Sequence, residues 1–288
     1  MKKLTNYFKL PLLAGCILFG FISCQKNDTT DLSDMDGSQN AALAEQYSDD
    51  ISSIIDDAYN SSNNTMANYR VSQTQDAAVI LSDCATITRD TVSVPHVITV
   101  DFGPENCLCR DGRYRRGKII ATFTGPYRAE GTVITHTTEN YFVNDNKVDA
   151  VKTVTNMGRN DHDNLHYSVS VTATITLAEG SGTITHEATR DREWINGEST
   201  PQRTDDVYLI RGTGHTTSAH GVEYNTEIIS PLRKEIGFRF IVAGIVQTTR
   251  TAEHTRVATM DFGYPDGGRD DLGLVTFDNG LTRVVHLR

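Results

Sequence analysis

The sequence predicts an all-β fold: a long-stranded antiparallel meander forming a curved, barrel-like sheet, preceded by one N-terminal amphipathic helix. Three observations carry this. The chain holds 36 Thr, 33 of them after residue 60, and β-branched Thr suits half-buried strands. Alternation is explicit where Tyr167, Val169, Val171, Ala173, Ile175 and Leu177 interleave with Ser168, Ser170, Thr172, Thr174 and Thr176, giving one apolar and one hydroxyl face. Turn residues recur between such runs, and no segment after residue 60 has helical spacing.

Taken in order, residues 1–23 have the form of a signal peptide. Lys2, Lys3 and Lys9 precede an apolar stretch from Leu10 to Ile22, and Cys24 is followed by the polar run Gln25-Lys26-Asn27-Asp28. The stretch is too short and interrupted to span a bilayer, which takes about 20 apolar residues. The pattern resembles a bacterial lipoprotein signal cut before an acylated Cys24. Leu13-Ala14-Gly15-Cys16 is a rival with a better lipobox, but cleavage there leaves too short an apolar core and a greasy mature start. An ordinary secretory signal is disfavoured because no A-x-A-like site precedes the polar run. The residues after Cys24 are similar to the tag that exports Bacteroidota lipoproteins to the cell surface, with a single Asp28 after Asn27 where two acids are usual. An outer-membrane lipid anchor is therefore expected, on the periplasmic side or the cell surface.

Residues 24–40 read as an acidic, flexible tether. Over 41–60, Leu43, Tyr47, Ile51, Ile54, Ile55 and Ala58 form one apolar stripe at helical spacing, with Ser38 or Asn40 as a candidate cap and Asn60-Ser61-Ser62-Asn63-Asn64 as a stop. Residues 61–76 are a linker and 77–288 the antiparallel β domain. The net charge of −10 is concentrated ahead of that domain: residues 25–60 hold nine acids and one Lys, whereas 61–288 hold 28 acids and 23 Lys+Arg. With 27 Lys+Arg against 37 Asp+Glu overall, no nucleic-acid partner is expected. The 38% hydrophobic content excludes wholesale disorder.

Within the β domain, Asn144-Asp145-Asn146, Glu179-Gly180-Ser181-Gly182, His220-Gly221 and Asp278-Asn279-Gly280 separate strand-like runs. About 13 strands are expected, many longer than the usual mode of about 5–6 residues. Short turns between consecutive strands make a meander, and long strands must curl or close to hide one face. The helix is expected to dock near the concave side or an end. A two-sheet β-sandwich is the alternative. Arg190, Asp191, Arg192 and Glu193 place charges on both faces of one strand and argue against a membrane-spanning barrel. Asp101-Phe102-Gly103 and Asp261-Phe262-Gly263 are each followed by a loop with an Arg-Asp pair. A repeated strand-end turn, in which the Asp bonds nearby N–H groups, is preferred to an old duplication.

Those two triplets, Asp111-Gly112-Arg113 with Gly117-Lys118-Ile119-Ile120, Arg192-Glu193-Trp194, Asp206-Val207-Tyr208-Leu209 and Pro231-Leu232-Arg233 carry a further resemblance. From about residue 80 onward the chain is similar to an uncharacterised all-β outer-membrane lipoprotein family of the Bacteroidota. The resemblance implies fold and location, and no activity comes with it.

Candidate chemistry is sparse. An exported setting favours disulfides, and Cys84–Cys107 is the expected bridge, with Cys84–Cys109 as the alternative. Zinc on Cys84, Cys107, Cys109 and His96 is disfavoured by the C-x-C spacing. His162 and His166, in Asn160-Asp161-His162-Asp163-Asn164-Leu165-His166, lack the H-E-x-x-H glutamate and read as a polar turn. Asp266-Gly267-Gly268-Arg269-Asp270-Asp271 lacks the EF-hand order and reads as a Gly turn with Arg–Asp pairing. Asp191, Glu193, Asp205 and Asp206 flank a hairpin at Gly197. Carboxylates about 5–9 Å apart serve glycosidases, and Trp194 could stack on a sugar, making Trp194, Asp191 and Glu193 a speculative ligand site. Arg190, Arg192 and Arg203 offer the competing reading of a cross-strand Arg–acid ladder. No metal or cofactor is expected. The function expected is a non-catalytic binding or accessory module at the outer membrane, for a glycan, lipid or protein ligand. The alternatives are an exported glycoside-type hydrolase and a structural or adhesion subunit.

Overall fold

The computed structural model describes residues 28–63, 85–126, 128–200, 204–238, 240–251, 255–265, 267 and 269–287. Residues 1–23, where a signal peptide is expected, as well as Cys24 and Cys84, lie outside them. One helix, α1 (Asp28–Asn63), precedes fourteen strands. These are β1 (Thr86–Asp90), β2 (His96–Asp101), the two-residue β3 (Cys107–Leu108), β4 (Tyr114–Phe123), β5 (Val133–Val143), β6 (Asn146–Arg159) and β7 (Leu165–Thr176). After a 3-10 turn at Ala178–Gly180 come β8 (Thr183–Asn196), β9 (Val207–Thr217), β10 (Glu223–Glu235), β11 (Ile241–Arg250), β12 (Arg256–Asp261), β13 (Leu272–Phe277) and β14 (Thr282–His286).

All the strands belong to one antiparallel sheet in sequence order, with β3 pairing only beside β4. Among the described residues β1 and β14 do not pair with each other, so the sheet is curved but unclosed. The single sheet also replaces the sandwich alternative. Alternation does what the sequence predicts: from Leu165 to Thr176, buried positions alternate with exposed or half-buried ones. The Asn144-Asp145 corner has positive φ at both residues, which suits a tight two-residue hairpin. At Asp278-Asn279-Gly280 only Gly280 is left-handed, and Phe277 N donates to Leu281 O at 2.9 Å, so this hairpin has a three-residue loop.

The repeated triplet is a repeated turn. Gly103 N donates to Asp101 Oδ1 and Gly263 N to Asp261 Oδ1, both at 2.8 Å. Phe102 N donates to Gly117 O at 2.9 Å, and Phe262 N to Gly244 O at 3.0 Å. Each turn thus closes onto a glycine of a neighbouring strand, β4 in the first case and β11 in the second. Gly117 is required there, because its φ is +84° and a Cβ would meet Asn140 O at 1.9 Å.

Helix α1 touches strands from β2 to β11, and the sheet curls around it. The expected stripe faces the sheet: Tyr47, Ile51, Ile54, Ile55 and Ala58 are buried, together with Ala41 and Ala44. They pack on inward residues including Val100, Ile119, Tyr141, Val143, Ile175 and Ile184. A second, small core of Ala258, Val275 and Phe277 fills the inner side of β12–β13.

The helix is longer than its apolar stripe. It starts at Asp28 and ends at Asn63, instead of spanning 41–60, so residues 28–40 are helical and not a flexible tether. Acids in the first turns of a helix complement its macrodipole, and Gly37-Ser38 does not interrupt it. Asn40 is mid-helix, not a cap: its Oδ1 accepts Ala219 N at 3.0 Å, tying α1 to the β9–β10 turn.

Candidate functional site

The inner face is where the acidic helix spends its charge. Asp50 accepts from Arg115 Nη2 at 2.8 Å and lies 3.4 Å from Arg113 Nη1, while Arg115 also donates to Asp111 at 2.7 and 2.8 Å. Arg115 is 0% exposed. Lys152 Nζ lies 3.3 Å from Asp49 Oδ1 and donates to Ser48 O. Glu45 meets Arg190 and His186. Burial works to raise the Glu45 pKa, but the His186 hydrogen bond and the Arg190 charge overcome it and hold it at about 2. Burial, with Lys152 beside it, pushes His136 down to about 4. This face is occupied by the chain's own helix.

The speculative site around Trp194 does not converge. Trp194 is 3% exposed and points inward, stacked on Tyr208 with centroids 5.6 Å apart and with the Arg128 guanidinium 4.6 Å from its ring centroid. Asp191 and Glu193, at odd positions of β8, point outward. Glu193 is 5% exposed and saturated: Asn164 and Asn160 donate to it at 2.9 and 2.8 Å and Arg211 at 3.1 Å. Those hydrogen bonds hold its carboxyl at about 2, far from the raised value a general acid needs. Asp191 lies 3.0 Å from His166 Nδ1.

The ladder partners differ from those expected. Period-2 alternation turns Arg190 and Arg192 inward, to Glu45 and to the rings of Tyr167 and Tyr208, so His166, Arg211, Asn160 and Asn164 serve the outward acids instead. Arg203 lies outside the described residues. Asp205 accepts the Thr200 hydroxyl at 2.8 Å, and Asp206 is buried. In the late loop, Arg269 pairs with Glu235 and Asp271 with His286, both at 2.8 Å, rather than with one another. Among the described residues no group of His, Cys, Asp and Glu is placed to hold a metal ion. His96 and Cys107 lie opposite the two ends of β4, beside Phe123 and Arg115. Cys107 and Cys109 are both buried, and Cys109 is a free thiol.

The feature that sequence reading missed lies on the outer face of β7–β11, a trough of about 530 Å³. That volume is in the range of ligand sites, about 300–1,000 Å³. Register aligns its walls. Thr172, Glu187, His215, Asn225 and Thr249 are directly opposite one another across the five strands. Two residues along, Ser170, Thr189, Thr213, Glu227 and Gln247 form a second such row. His215 Nδ1 and Asn225 Oδ1 are 2.9 Å apart, and the Thr189 and Thr213 hydroxyls 3.4 Å.

Bulges flank this grid, with register shifts after Ile228 and Ser230 in β10, and bulges bend a sheet locally. Gly212, at φ +139°, brings β9 so close to β8 that a Cβ would meet Thr189 O at 2.0 Å. Beneath the trough, Arg190 donates to the carbonyls of Thr189 and Thr213 and reaches Glu45 of α1, which fixes the floor to the helix. Gly212-Thr213-Gly214 is the one local signal, since glycines around a strand residue mark a bulge or a close approach.

No protein-family model, curated protein or solved structure matches the chain. Among the described residues no helix is long and apolar enough to cross a membrane.

Proposed function

We propose that the chain is an exported lipoprotein anchored at the outer membrane through Cys24, and that it acts as a non-catalytic binding module through the trough on β7–β11. The observation that carries the reading is the two-row grid: ten outward side chains in register across five strands, all but His215 being hydroxyl, amide or carboxylate groups. The acids nearest Trp194 are engaged elsewhere, which supports binding over hydrolysis. Asp28, where α1 begins, is the fourth residue after Cys24, so the anchor would connect to a stiff stalk. A Cys84–Cys107 bridge belongs to the same reading, because Cys109 is a free thiol; a peptide map without reduction should show that linked pair, and a Cys84–Cys109 peptide would refute it.

Cys24→Ser is expected to move the protein from the membrane to the soluble fraction, and unchanged membrane fractionation would refute the anchor. For the trough, thermal unfolding of detergent-extracted full-length protein is followed against polysaccharide, lipid and peptide fractions of the producing cells' envelope and medium. At least one fraction is expected to raise Tm, by binding the folded state, without being degraded. Thr213→Lys, which fills the middle of the trough, should abolish that rise. If no fraction raises Tm, or if the active fraction is cleaved, the reading fails.

A further inference from the structure

We infer that the trough takes an extended, uncharged, hydroxyl-rich glycan laid across the strands; this rests on the binding reading above. The lining chemistry decides the class. Ser170, Thr172, Thr189, Thr213 and Thr249 present hydroxyls, each able to donate and accept, as sugar hydroxyls do. Asn225 and Gln247 add amides with both functions, and Glu187 and Glu227 add strong acceptors for sugar O–H donors.

No Lys or Arg side chain is in the lining. Two carboxylates without a cation disfavour uronic, phosphorylated or sulfated sugars by charge repulsion. Apart from Val171, an inward residue of β7, and the polar imidazole of His215, the lining contains no aromatic or large aliphatic side chain, so a lipid tail or an apolar peptide side chain finds no floor to bury against. Geometry agrees with chemistry. Neighbouring strands are about 4.8 Å apart, close to the length of one pyranose ring, so an extended chain crossing β7 to β11 meets a fresh pair of polar side chains at each ring.

Affinity electrophoresis tests this with full-length protein in non-ionic detergent, in native gels containing hydroxyethylcellulose, galactomannan or dextran as neutral probes and polygalacturonate as the anionic one. At least one neutral polymer is expected to retard the protein, and polygalacturonate is not. Thr213→Lys should weaken retardation at least tenfold and Glu227→Gln about threefold. Asp149→Lys, on β6 outside the trough, should leave it unchanged. The inference is overturned if no neutral polymer retards the protein, if polygalacturonate retards it equally, or if Thr213→Lys has no effect. The two proposals fail differently: a Tm rise with a peptide or lipid fraction that Thr213→Lys abolishes keeps the binding reading and sinks the glycan, whereas no Tm rise with any fraction sinks both.

Discussion

Arg115→Met is expected to lower the free energy of unfolding by about 3 kcal/mol, the lower end of the cost of breaking a buried ion pair, because Arg113 remains 3.4 Å from Asp50. Arg115 is inaccessible to solvent and forks between Asp50 of α1 and Asp111 of the loop before β4. Methionine fills much of the volume but leaves the buried Asp50 carboxylate facing an apolar group. Arg115→Lys rescues little, since an ammonium cannot make the paired bonds of a guanidinium to two carboxylates. Asp50→Asn costs less, about 1–3 kcal/mol, because Asp111 still compensates the guanidinium. Denaturant unfolding monitored through Trp194 fluorescence measures all three. A loss below about 1 kcal/mol for Arg115→Met, the level of an exposed ion pair, would mean that α1 is not docked there.

Ile54→Ala should destabilise by about 2–5 kcal/mol, the sum of lost apolar transfer and the cavity left behind. Ile54 is fully buried in the middle of the stripe that α1 presents to the sheet. Ala42→Ser, at an exposed position of the same helix, should stay within about 0.5 kcal/mol. The contrast separates loss of docking from loss of helix propensity. Equal effects of the two substitutions would show that the concave face does not depend on the helix.

What the sequence makes legible is what depends on neighbours along the chain. Alternation from Leu165 to Thr176, the Asn144-Asp145 corner and the 43–58 stripe are local patterns, and each appears in the fold as read. The start of α1 is less legible because its first turns are polar and contain Gly37; intrinsic propensity is a weak guide beside the Asn40 contact with Ala219. The Asp50–Arg115 pair joins residues 65 apart in sequence, and no local rule connects them. The orientation of Arg190 and Arg192 was available from parity along β8, since Trp194 shares it and is inward.

The trough is the least legible feature. Ser170, Thr189, Thr213 and Glu227 each look like ordinary outward strand residues; only the register of five strands places them in one row, and register is set by long-range packing. The pair Glu187 and Glu227 reports on that placement. Carboxyl labelling, read by mass spectrometry, compares the protein in intact producing cells with the purified form. Occupancy of the trough is expected to slow labelling of Glu187 and Glu227 in the cells, while Glu139 and Asp149, outward residues of β5 and β6, label at the same rate in both. Equal rates at Glu187 and Glu227 in the two preparations, or shielding at Glu139 and Asp149 instead, would contradict the trough as the working surface of this protein.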